Sequence, residues 1–364
     1  MRGVPLSERI LMGPGPCNPY PEVVAAMGRP MLGHLDPEFV TVLDETCERL
    51  RQVFRTANPL TLPISGTGSA GMEAAFVNAV VPGDVVVVAV NGLFGERMCD
   101  VAGRCGADVV RVDVEWGQPV DTDAVLAAHP APKIIAVVHA ETSTGVRSDV
   151  EPLGAGKGDA LLLVDGVTSL GGIPLEVDGW NVDIAYAGTQ KCLGVPPGLA
   201  PLTMGPRALE RRNPRPQSWY LDLGMLADYT GPATGARKYH HTAPVSAIFG
   251  LHAGLGVLLE EGLEAVQARH AACGQALQDG LEKLGLELVA PAGYRLPELT
   301  TVKVPEGVDS AAVRAALLND YGIEIGAGVG AFASTMWRIG CMGHTARLRN
   351  VTLVLAALAE VLGR

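Results

Sequence analysis

Between residues 60 and 188 the chain alternates short apolar runs with longer stretches of helical spacing, and this pattern limits its fold more than any other feature. Runs that stay apolar throughout are strands covered on both faces, and strands joined by helices pair in parallel. The runs are LTLPI (60–64), VVVVAV (85–90), ADVVRVDV (107–114), KIIAVVHA (133–140), ALLLVD (160–165) and DIAYAG (183–188). They predict an α/β fold around a mainly parallel sheet. Ahead of them, residues 36–57 place Phe39, Val42, Leu43, Leu50 and Val53 at helical spacing, while residues 1–20, rich in Gly and Pro, read as an arm. From about residue 246 the pattern becomes one long helix through LHAGLGVLLEEGLEAVQARHAACGQALQDGLEKLG. LELVAP, TTVKVP, another helix and a final apolar helix over 344–362 follow. A chain of 364 residues exceeds the size at which one core stops growing, so this stretch is expected to form a second, smaller α/β domain.

The formal net charge of −11 opposes unspecific attraction to nucleic-acid phosphates or anionic lipid. An anionic substrate must then be gathered by a few positioned arginines, lysines or backbone N–H groups. The opening MRGVPLSERILMGPGP carries no apolar signal-peptide core, and no stretch approaches the roughly 18 apolar residues of a membrane span. A cytoplasmic protein is expected, with no membrane or nucleic-acid partner. Seven cysteines without a CxxC pair indicate neither a disulfide framework nor a zinc site. The adjacent His240 and His241 match no ligand spacing and are expected to point in different directions, so no metal is expected.

Three segments carry chemistry. In ISGTGSAGMEAA, Gly66, Gly68 and Gly71 lie between a strand and a helix, where backbone N–H groups cradle phosphate. A dinucleotide turn, and with it a nicotinamide-dependent dehydrogenase, is one reading. Pro63 in the preceding strand and Asp84 after Pro82-Gly83 fit it poorly, and a lone phosphate, as on pyridoxal phosphate, fits better. Asp165 ends its strand at the carboxyl edge of the sheet, where ligands of open α/β sheets collect. Thr142 and Ser143 from HAETSTG and Lys191 from GTQKCLGVPPG reach the same edge. A desolvated lysine has a lowered pKa and forms Schiff bases, while an aspartate beside a pyridine nitrogen keeps that nitrogen protonated. Asp165 and Lys191 supply that pairing.

LMGPGP, NPLTLPISGTGSAGMEAA, HAETSTGV, LLVDGVTSLGG, AGTQKCLGVPPG, YHHTAPV and RIGCMG recur in this order in the class V, fold-type I pyridoxal-phosphate aminotransferases. The chain resembles that family over nearly its whole length, and its alanine–glyoxylate and serine–glyoxylate group most of all. The resemblance implies an arm (1–20), a large cofactor-binding domain (21–245) with a mainly parallel seven-stranded sheet, and a small C-terminal α/β domain (246–364). It implies that Lys191 bonds the cofactor and transfers protons, and that Asp165 faces the pyridinium nitrogen. Thr142 would bond near the ring oxygen, and Val167 would form the floor beneath the ring. Thr67, Gly68 and Ser69 with Gln190 would form the phosphate cup, completed by Tyr239 and Thr242 of the neighbouring subunit in a homodimer. Arg338 would take the substrate carboxylate as a bidentate ion pair, with Ser169 and the Gly13 backbone beside it.

The chain departs from the family pattern at Phe94, where a tryptophan commonly covers the ring, and at Ser69, where a histidine stands. His34 is expected to touch the side-chain pocket. The expected reaction is ping-pong transamination from alanine to glyoxylate. Serine–glyoxylate, serine–pyruvate, ureidoglycine–glyoxylate and aminoethylphosphonate transfer are the alternatives within the family. A single carboxylate clamp favours small monocarboxylates.

Overall fold

The computed structural model describes residues 7–231 and 236–364; residues 1–6 of the expected arm lie outside the described range. Its centre is a seven-stranded sheet of β1 (Leu60–Ser65), β2 (Val85–Val90), β3 (Asp108–Asp113), β4 (Ile134–Val138), β5 (Leu161–Asp165), β6 (Ile184–Tyr186) and β7 (Leu199–Met204). Across the sheet the order is β1-β7-β6-β5-β4-β2-β3. Only β7 runs against its neighbours, pairing antiparallel with both β1 and β6. The apolar runs predicted the other six strands; β7 (LAPLTM) was not among them, although LTLPI, which also holds a proline, was. Pro201 of β7 stands directly opposite Pro63 of edge strand β1, so neither proline is asked for an N–H by the other.

Helices cover both faces of the sheet. Helix α1 (Pro37–Phe54) begins with a proline at its first position, and the Asp36 carboxylate accepts from the Glu38 N–H at 2.8 Å, satisfying one free donor. Helix α2 (Gly68–Ala79) follows β1, and α3 (Leu93–Arg104) follows β2. Each brings its N-terminus to the carboxyl edge of the sheet, where positive helix ends favour anions.

The long helix expected after residue 246 is two helices, α4 (Val245–Glu261) and α5 (Leu263–Lys283), bent by 87°. The break is Gly262, at φ +88°, a left-handed conformation that glycine adopts without a Cβ clash. The bend redirects the chain from one core to the other. Ile248, Leu251, Leu255 and Leu258 of α4 belong to the apolar core around the sheet. Cys273, Leu277 and Leu281 of α5 belong to a second core with Met12, Trp337 and Ile339. The cores therefore divide within α5, beyond the expected boundary at 246.

The second core is covered by a small antiparallel sheet of β8 (Leu299–Lys303), β9 (Gly326–Ala327) and β10 (Met336–Gly340), with β10 central. The final helix, α6 (Leu348–Leu362), packs on α5 and starts four residues later than the apolar pattern suggested. The arm is tied to this half of the molecule: Ile10–Leu11 pairs in parallel with Ile323–Glu324. No single described helix is long and apolar enough to cross a membrane.

Candidate active site

At the carboxyl edge of the sheet, register puts three strand ends side by side: Val138 of β4 pairs with Asp165 of β5, which pairs with Tyr186 of β6. Beyond these ends lies a cavity of about 220 Å³. Thr67, Gly68 and Ser69, at the start of α2, form one wall. Phe94, Thr142 and Val167 form others, and Asp165, Gln190 and Lys191 complete the set of expected residues that line it.

Asp165 is 3% exposed and holds its two oxygens apart. Oδ1 accepts from the Val167 N–H and Oδ2 from the Tyr186 hydroxyl, both at 2.8 Å. Burial pushes its pKa up from 3.8 to about 6, against the pull of those two donors. Lys191 is also buried. Its ammonium donates to the Pro14 carbonyl of the arm. Burial, with the Arg338 guanidinium nearby, lowers its pKa from 10.5 to about 8, so about a tenth is the neutral, nucleophilic amine at pH 7, against under a thousandth for an ordinary lysine. The arm runs so close that a Cβ on Gly15, at φ +99°, would lie 2.6 Å from the Lys191 side chain. Only glycine fits there.

Arg338 sits on central strand β10. Its Nε donates to the Ala327 carbonyl at 2.8 Å and Nη1 to the Thr142 carbonyl at 3.2 Å. Nη2 has no protein acceptor among the described residues. Burial lowers its pKa from 12.5 to about 10, opposed by the Glu141 carboxylate, so it stays cationic. Gly13 lies beside this strand, where the Gly340 N–H donates to the Met12 carbonyl at 2.7 Å. Ser169 is fully buried and its Oγ has no partner.

Tyr239 (62% exposed) and Thr242 stand apart from the cavity, on the surface of the same chain. His34 does not line it either; its ring lies 5.4 Å from Tyr239 and its carbonyl accepts from the Tyr229 hydroxyl. The rings of His240 and His241 do not diverge: their Nδ1 atoms meet at 3.0 Å, His240 stacks on Trp219 at 4.4 Å, and His241 Nε2 meets Ser65 Oγ at 3.0 Å. The two rings are absorbed in one another and in neighbouring aromatics.

Besides Thr168 and the apolar lining, three residues with hydrogen-bonding partners at the site were absent from the sequence reading. Arg97, one turn beyond Phe94 on α3, lines the cavity, donates to Ser69 Oγ at 3.3 Å and lies 4.9 Å from the Phe94 ring centre. The NGLFGER segment held the signal, since Phe94 and Arg97 are spaced to share a helix face. Tyr186 was read only as a strand residue. Glu141, fully buried, was passed over within HAETSTG.

These residues fit pyridoxal phosphate. The N-terminus of α2, with Ser69, Gln190 and Arg97, suits a phosphate dianion. Gly68 leaves the close approach that this needs, since a Cβ there would lie 2.8 Å from Val167 Cγ2. Asp165 offers a buried carboxylate to a ring nitrogen, and Lys191 an amine of lowered pKa to an aldehyde. Gln190 Oε1 and Thr168 Oγ1 are buried without partners.

The family described as Aminotransferase class-V matches residues 17–348. The chain is 39% identical to the alanine–glyoxylate aminotransferase of Drosophila melanogaster, covering 98% of this chain and 92% of that protein. It is 37% identical to the (S)-ureidoglycine–glyoxylate transaminase of Bacillus subtilis (strain 168), covering 98% and 91%. The crystal structure of an alanine–glyoxylate aminotransferase from Nostoc sp. superposes with a TM-score of 0.96 at 45% identity, covering 100% of this chain and 97% of that one. A dehydrogenase reading of GTGSAG has no place beside these relationships: the chain belongs to the class-V aminotransferases, enzymes of fold type I that depend on pyridoxal phosphate.

Proposed function

We propose that this aminotransferase moves the amino group of alanine to glyoxylate, giving pyruvate and glycine in two half-reactions at one site. The observation that carries this is the placement of the two arginines. Arg97 is engaged at Ser69, on the phosphate side, which leaves Arg338 as the one carboxylate clamp beside Lys191 among the described residues. A single clamp accepts small monocarboxylates and gives no reward to a second carboxylate on the substrate.

Pyridoxal phosphate, when bound, would supply an aldehyde to carry the amino group and a ring that acts as an electron sink for the reacting carbon. The chain's own residues do the rest. The start of α2, Gln190 and Arg97 would anchor the phosphate. Phe94 and Val167 would enclose the ring, Thr142 would bond beside the ring oxygen, and Asp165 would keep the ring nitrogen protonated. Arg338, with Ser169 and the Gly13 backbone, holds the substrate carboxylate. Lys191 Nζ then removes the proton from the substrate α-carbon, and its lowered pKa suits that exchange.

The active form is a homodimer in which Tyr239 and Thr242 of the partner subunit complete the phosphate cup. In support, Tyr239 is exposed together with Trp219 (59%) and Tyr220 (41%), an aromatic surface typical of an interface. The free state of all seven cysteines suits a reducing cytoplasm. The nearly equal identity to a ureidoglycine–glyoxylate transaminase makes ureidoglycine the second donor to test.

The deciding experiment follows the visible band of the cofactor-loaded protein. Alanine should bleach it and glyoxylate restore it. A band that ignores alanine and bleaches with serine or ureidoglycine would overturn the choice of donor.

A further inference from the structure

Helix α3 has no cap of its own. Its N-cap position is Gly92, with no side chain to accept from the first free N–H groups. They are met from another part of the chain. Glu141 Oε2 accepts from the N–H groups of Phe94 (3.1 Å) and Gly95 (3.4 Å), while Ser143 Oγ accepts from Leu93 N–H at 2.9 Å. The other carboxylate oxygen, Oε1, accepts from the Ser143 N–H at 3.0 Å and its hydroxyl at 2.5 Å. Gly92 is required for this seat, since a Cβ there would strike Ser143 Oγ and lie 2.5 Å from Glu141 Cδ.

One buried carboxylate therefore joins two walls of the cavity. On one side is the helix that carries Phe94 and Arg97. On the other is the Thr142–Ser143 turn, whose Thr142 carbonyl holds Arg338 at 3.2 Å. We propose that Glu141 is a positioning residue for transamination: it fixes Phe94 against the cofactor cavity, braces the Thr142–Ser143 turn on which Arg338 rests and sets a carboxylate near that clamp. This rests on the reading of the cavity as the cofactor site and of Arg338 as the carboxylate clamp.

The charge balance agrees. Burial raises the Glu141 pKa, and its four donors pull it down. Glu141 in turn raises the pKa of Arg338, whose other cationic neighbour is Lys191. Asp165 and Tyr186 are the remaining titratable groups that feel it. A buried carboxylate held by four donors at a helix N-terminus is worth far more than a surface pair, and deleting its charge leaves the donors facing an amide.

The test uses Glu141→Gln and Glu141→Asp in the full chain. Affinity of the apoprotein for pyridoxal phosphate, read by fluorescence titration, should fall about tenfold in Glu141→Gln. In the loaded enzyme, KM for alanine should begin its alkaline rise at lower pH than in wild type, as Arg338 loses its proton more easily. A purely structural role would not move that limb. Glu141→Asp, which keeps the charge and gives up reach, should lose cofactor affinity yet hold the limb near wild type, and it carries the test if the glutamine variant does not fold. Unchanged affinity and an unmoved limb in Glu141→Gln would overturn the proposal. A wild-type apoprotein that takes up no pyridoxal phosphate would instead refute the cofactor reading.

Discussion

Asp165→Asn should make the apoprotein more stable while ruining it as an enzyme. The Asp165 carboxylate is 3% exposed, and burial raises its pKa from 3.8 to about 6. Because the folded value is the higher one, the ionised carboxylate is tolerated worse in the fold than in the unfolded chain. That cost is absent below pH 3.8, grows as the pH rises to about 6, and is complete above it. At about 1.36 kcal/mol per pH unit the full cost is about 3 kcal/mol. Asparagine keeps the shape: its Oδ1 still accepts from Val167 N–H, and its amide donates to the Tyr186 hydroxyl, which now accepts. Urea denaturation of wild type and variant, both free of cofactor, should therefore show the variant ahead by up to about 3 kcal/mol at pH 7 and by about half that at pH 5. Turnover of the loaded variant should fall on the order of a hundredfold or more, since the charge proposed to face the ring nitrogen is gone. A variant no more stable than wild type at pH 7, or a gain that does not shrink at pH 5, would refute the reasoning.

Other expectations follow from the same geometry. The rate at which apoprotein takes up pyridoxal phosphate covalently should rise with pH around a midpoint near 8, not near 10.5, because the neutral Lys191 amine is the nucleophile; stopped-flow absorbance checks this. Lys191→Ala should abolish turnover yet still bind the cofactor noncovalently, which denaturing mass spectrometry separates from the covalent wild type. Arg338→Lys should raise KM for alanine about tenfold or more and change kcat less, since lysine gives a point charge where a planar fork is needed; equal losses in both constants would argue against a ground-state clamp. Gly68→Ala should weaken cofactor binding, because the new Cβ would lie 2.8 Å from Val167 Cγ2 at the floor of the cavity; isothermal titration of the apoprotein reads it.

Six of the seven strands, and the convergence of Asp165, Thr142 and Lys191 at one edge, were legible because both kinds of signal are local; the other residues expected at the cofactor came only from the resemblance to the family. An unbroken apolar run marks a doubly covered strand, and the residue just past its end lies at the carboxyl edge, so Asp165, Thr142 and Lys191 converge without any knowledge of packing. β7 was not read as a strand although β1, with its own proline, was; the register sets the two prolines opposite each other. The turn between α4 and α5 escaped because the pattern around it is unbroken. Gly262 sits inside an otherwise continuous helical pattern, and an isolated glycine there is an ordinary, tolerated weakness. What makes it a corner is that α4 has one core to cover and α5 another.

The residues missed at the site share a single property, which is that their roles are fixed by partners far away in sequence. Tyr186 acquires its task from Asp165, 21 positions earlier, and Arg97, beyond its local spacing with Phe94, from Ser69, 28 positions earlier. Glu141 is the extreme case. A glutamate in a strand-to-turn segment reads as a solvated residue, because carboxylates are almost never fully buried without partners. Its partners are the free N–H groups of α3, 46 and 47 positions away, and those groups are free only because Gly92 cannot cap its own helix. The local omission at Gly92 and the distant carboxylate explain each other. A helix start with an uncapping glycine, facing a short turn that carries an acidic residue, is thus a pairing that sequence can suggest but only the sheet order can verify. Here it is the β2–β4 adjacency that brings the two together.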